Sequence, residues 1–85
     1  MQLGNVVRLA SGSLRTRDES VAMYVAAYTR ISDLFEHMSQ HPVVTDQRDM
    51  LRLISVMDGN ASISLVMLDD GCLAFIRSSD VEKIA

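Results

Sequence analysis

The chain has no tryptophan and little cysteine, proline or glycine: one Cys, one Pro and four Gly in 85 residues. With Cys72 alone, no internal disulfide can form, so the fold is not a stapled scaffold. A reducing, cytoplasmic setting is the expectation. Too few glycines are present for a glycine-rich phosphate loop, and each has a local turn or stop to make. No apolar run approaches the ~20 residues of a membrane-spanning helix. The start, Met1-Gln2-Leu3-Gly4-Asn5, lacks the basic stretch and long apolar run of a secretory leader. Positive charge is also short. Eight Lys and Arg stand against eleven Asp and Glu, a net of −3, which argues against broad charge-driven binding to nucleic acid.

What is present suits a packed globule. Hydrophobic residues make up 48% and charged residues 22% of the chain. The length gives one domain near the small end of what folds alone, where burial gained by self-association counts. Six methionines supply flexible apolar volume for a core or for an adaptable interface.

Residues 1–17 read as an arm or short strand. Asn5-Val6-Val7-Arg8-Leu9 has strand composition, Ser11-Gly12-Ser13 interrupts it, and Arg8, Arg15 and Arg17 face no acid within the segment. Residues 18–85 read as a single α+β domain. Its clearest signal is a row of apolar side chains at Val21, Tyr24, Tyr28, Ile31, Phe35 and Met38. Their alternating steps of three and four predict one long amphipathic helix over 18–40, with Asp18 or Ser20 as its cap. His41-Pro42 ends it. Thr45 then reads as the cap of a second, shorter helix over 46–57, stopped at Asp58-Gly59-Asn60 with Gly59 in the left-handed position.

Residues 61–77 read as a C-terminal β-hairpin turning at Asp70-Gly71. That register opposes Leu65 to Ile76 and Met67 to Ala74 on one face. On the other it opposes Val66 to Phe75 and Leu68 to Leu73. Both faces are apolar near the turn, whereas a half-solvated hairpin alternates apolar with polar. Ser79 and Glu82 form a capping-box pattern that predicts a short terminal helix turn.

Few residues suggest chemistry. Cys72 with His37 or His41 has the residue types of a nucleophile and base, but Cys72 follows a hairpin turn, not a helix N-terminus that would activate it. Asp33, His37 and His41 fall at successive steps of four along the first helix, the spacing that puts ligands of one metal on one face. The plainer reading is a solvated helix end whose dipole favours histidine. No cofactor is implied. The second helix carries Gln47, Arg48 and Arg52 beside Asp46 and Asp49, so its charges cancel, unlike a helix that reads DNA.

The surplus apolar surface is therefore the functional signal. The heptad row and the second hairpin face (Val66, Leu68, Leu73 and Phe75) are the candidate interface. The expectation is a small non-enzymatic regulator or inhibitor that contacts an unidentified protein. It would form a homodimer through long helices pairing antiparallel or hairpins merging into a larger sheet. DNA binding through the arginine arm is the alternative, and a metal protein or enzyme using Asp33, His37 and His41 is the second alternative.

Overall fold

The computed structural model describes residues 1–15 and 17–84. Among the described residues, five antiparallel strands and two α-helices make an α+β fold, whose order differs from the sequence expectation. The strands are β1 (Val6–Leu9), β2 (Val21–Tyr28), β3 (Ile63–Met67), β4 (Leu73–Arg77) and β5 (Val81–Lys83). The helices are α1 (Ile31–Gln40) and α2 (Gln47–Asp58), both between β2 and β3. The sheet order is β4-β3-β2-β1-β5.

The long helix over 18–40 is two elements. Its first half is β2, paired with β1 on one side and β3 on the other. Val21, Tyr24, Val25 and Tyr28 are β-branched or aromatic residues that favour a pleated surface. Ala22 and Tyr24 are buried at the strand period of two. A bulge between Tyr24 and Ala26 then inserts an extra residue. Tyr24 therefore points into one core and Tyr28 packs against the other. The heptad spacing ran by coincidence across a strand, a turn and a short helix. Neither Asp18 nor Ser20 caps anything helical; α1 begins at Ile31, after Arg30 at the cap position, which makes no side-chain cap.

The sheet cannot be flat. β4 and β5 lie at opposite ends of the strand order, yet only Ser78–Asp80, a 3₁₀ turn, joins them. Four strand spacings of about 4.8 Å would put flat edges about 19 Å apart. Three residues in a 3₁₀ turn rise only about 6 Å. The sheet must roll until its two edges approach, giving a partly open barrel. The burial agrees: Ala74 and Ile76 from β4 share one apolar cluster with Val81 from β5, Val7 and Leu9 from β1, Tyr24, Val66 and Leu68. Leu14, in the loop between β1 and β2, belongs to the same cluster.

The outer face of β3 and β4 carries a second core. Ile63, Leu65 and Phe75 pack there against Leu34 of α1 and Met50, Leu53 and Met57 of α2. The hairpin thus has two covered faces, which explains its lack of alternation. Its register is one residue away from the expectation: Leu65 faces Phe75, Val66 faces Ala74 and Met67 faces Leu73. The Leu68 amide donates to the Cys72 carbonyl, leaving a three-residue turn, Asp69-Asp70-Gly71. Gly71 has φ +84°, the left-handed residue that such a turn requires.

Three further local expectations are corrected. Asp46 caps α2 by accepting from the Asp49 amide at 2.8 Å. Thr45 instead turns its hydroxyl to the backbone of β4. At the other end of α2, Asn60 takes the left-handed conformation (φ 67°), while Gly59 stays at φ −89°. The capping-box pattern at Ser79 and Glu82 ends in β5, not a helix, because Val81 enters the barrel core opposite Leu9. Ala85 lies outside the described residues.

Candidate functional site

Four surfaces of the described residues have chemical or apolar character: an aromatic–histidine cluster, a depression beside Cys72, a groove between the helices, and an uncovered part of the sheet. The cluster forms where β2 ends and α1 ends. Tyr28, His37, His41 and Phe75 converge, with His37 at 6.1 Å from Tyr28, 5.6 Å from Phe75 and 4.9 Å from His41 between ring centroids. The Tyr28 hydroxyl lies 3.4 Å from His37 Nδ1. His37 Nε2 is buried and has no hydrogen-bond partner among the described residues. Burial, and then the neighbouring His41, push the His37 pKa down. Burial raises that of Tyr28, with the Asp33 carboxylate adding to it.

The row Asp33, His37 and His41 is not brought to one point. His41 sits beyond α1 with extended backbone angles, φ −139° and ψ 130°, as the following proline demands. Asp33 is engaged by Arg30 at 3.3 Å. Among the described residues no three His, Cys, Asp or Glu side chains are placed to hold one metal ion.

Cys72 and His41 both line an open depression of about 360 Å³, with Pro42, Val43, Val44, Gly71 and Leu73. Asp70 lies beside Cys72 and accepts from its amide at 3.1 Å. That bond, with Arg17 behind it, holds the Asp70 carboxyl below its usual range.

The arginines of the first seventeen residues are matched by carboxylates. Arg8 faces Glu82 at 3.8 Å and Arg15 faces Asp49 at 3.9 Å. Arg17 bridges Glu19 and Asp70, which raises its pKa further. Val6–Leu9 is also a strand held between β2 and β5.

Of the candidate interface residues, Tyr24, Val66 and Leu68 line the barrel interior. Phe75 is buried beneath the helices, and Tyr28, Ile31, Met38 and Leu73 pack against that core in part. Only Val21 and Phe35 stand out, at 41% and 51% exposure. The edge at which hairpins would merge is occupied: the Val44 amide donates to the Leu73 carbonyl, and the Phe75 amide donates to Thr45 Oγ1 at 2.7 Å.

Phe35 belongs to the groove between α1 and α2, about 360 Å³, with Met38, Met50, Leu51 and Ile54. Val21 belongs to the uncovered sheet. The helices shield β3, β4 and the end of β2, but leave the outer face of β1, β5 and the start of β2 open. Val6 pairs with Met23, Arg8 with Val21 and with Glu82, so these side chains share that face. The Ile84 amide donates to the Val6 carbonyl, extending the row. Val6, Val21, Met23 and Ile84 are 37–42% exposed. Met23 is hidden in sequence by the helical reading of β2, Ile84 by the helix-turn reading of the residues that form β5, and Val6 because nothing local shows which strands the helices leave open.

Comparison with protein-family models, with curated proteins and with solved structures yields no match.

Proposed function

We propose that this chain is a small non-enzymatic regulator or inhibitor acting through protein–protein contact, and that it assembles as a homodimer through the open face of β1, β2 and β5. The observation that carries the reading is the contiguous exposed row Val6, Val21, Met23 and Ile84, interrupted by one cation and one anion, Arg8 and Glu82. Four neighbouring apolar side chains on a five-stranded sheet form a patch, and patches of this kind mark contact surfaces.

The charges favour a second copy as the occupant. A two-fold contact apposes one patch to itself. Because the patch holds both signs, Arg8 of one copy can face Glu82 of the other, and the reverse. Arg8 and Glu82 are 61% and 73% exposed in the single chain, so their pairing there contributes little, and shielding by a second copy would strengthen it. A surface of one sign would repel its own copy.

The arm arginines, each already opposite a carboxylate, support the protein-contact reading over nucleic acid. The helix groove is then free to meet the regulated protein.

The test is the molar mass of wild type and of Val21→Asp/Met23→Glu by light scattering. Both side chains lie on the outer face, at 41% and 37% exposure, and circular dichroism checks that the variant stays folded. The wild type is expected as a dimer and the variant as a folded monomer. A wild type that stays monomeric across the micromolar range, or a variant that still dimerises, overturns the reading.

A further inference from the structure

We propose that the last turn of α1 is a pH-sensitive latch, held to the sheet while His37 is neutral and released when His37 takes up a proton. The proposal does not depend on how the chain assembles.

The geometry of the ring carries it. His37 sits among Tyr28, Phe75 and His41. A neutral imidazole has one donor and one acceptor nitrogen. Here Nδ1 meets the Tyr28 hydroxyl and Nε2 is buried without a partner among the described residues. One unpaired nitrogen on a neutral ring is a modest cost. Protonation makes both nitrogens donors and adds a charge, so the buried N–H then lacks an acceptor.

The surrounding groups set the direction. β4 contributes Phe75, which bears no charge. β2 contributes Tyr28, neutral over the range in question. α1 contributes Asp33 and Glu36, which border the same depression with Gln40. Asp33 is already engaged by Arg30, itself at the start of α1. The dipole of α1 favours a cation at its C-terminal end. His41 opposes it, and Cys72 lies beyond His41, across the neighbouring depression. Burial is the largest influence and His41 the next, and both favour neutral His37.

The sign follows. The folded chain holds the His37 proton less tightly than the unfolded chain, so the stabilisation is complete above the ordinary histidine pKa of about 6.5. It is lost as pH falls below that value toward the lowered folded one. The loss falls on α1 first, because its last turn meets the sheet through this cluster. Its release would uncover Leu34, now fully buried, and the face of Phe75.

Hydrogen exchange tests the latch on the whole chain. Between about pH 7.5 and pH 5, protection of the α1 amides, corrected for intrinsic exchange, should fall about tenfold for each pKa unit by which His37 is depressed. The α2 amides should keep theirs. In His37→Phe, which retains an aromatic ring, α1 protection should lose this pH dependence. Equal loss in α1 and α2, or an unchanged pH dependence in His37→Phe, overturns the proposal. Should that variant not fold, the NMR titration of the wild-type imidazoles decides alone: His37 below about 6.5 supports the latch, and at or above it contradicts it.

Discussion

Thr45 shows how one side chain can join two elements. Its hydroxyl accepts from the Phe75 amide at 2.7 Å and is 3.4 Å from the Phe75 carbonyl, both inside the protein. Thr45→Val would keep the shape and leave a buried amide without an acceptor. The expected cost is about 1–3 kcal/mol, measurable by denaturant unfolding. Unchanged stability would show that water reaches the β4 edge. Asp49 has a similar role on the other side of α2. Its carboxylate is 6% exposed and accepts from Arg52 at 3.0 Å and from the Arg15 amide at 3.3 Å, tying the loop between β1 and β2 to the helix. Neither role was legible in sequence. Thr45 precedes a helix and looks like its cap, and only the fold brings Phe75 beside it. Arg15 lies 34 residues from Asp49.

At the scale of elements, legibility followed locality. α2 was anticipated within a residue at each end, since its apolar face and stop signal are contained in its own sequence. The hairpin was found, but its register slipped by one because Asp70-Gly71 suits a two-residue and a three-residue turn alike. The left-handed Gly71 decides for the longer turn. Gly71→Ala meets no atom within 4 Å, so its effect isolates backbone conformation. A loss of about 1–2 kcal/mol in thermal or denaturant unfolding is expected. No loss would mean that the turn can relax to another type. The largest misreading, the helix over 18–40, arose because Tyr24 to Tyr28 is a step of four. That step keeps one face on a helix, and on a plain strand too. The β-branched and aromatic content of Val21–Tyr28 was the available signal, and the bulge after Tyr24 hid the period of two.

For the whole molecule, the decisive constraint is the short link from β4 to β5. It rolls the sheet, divides the apolar residues between an interior and a helix-covered core, and leaves one stretch of outer sheet bare. Most residues that looked surplus in sequence are consumed by those two cores. The expectation of an apolar contact surface therefore moves to Val6, Val21, Met23 and Ile84, with Arg8 and Glu82 among them. The sequence could not locate this face, because it depends on which strands the helices cover.

Its self-complementary charges permit a direct test by exchange of sign. Arg8→Glu alone apposes acid to acid across a two-fold contact, and Glu82→Arg alone apposes base to base. Such like-charge contacts cost several kcal/mol. Each variant should sediment as a monomer, whereas an equimolar mixture of the two should sediment as a heterodimer with both pairings restored. A mixture that stays monomeric, or an Arg8→Glu variant that dimerises as the wild type does, would contradict assembly through this face.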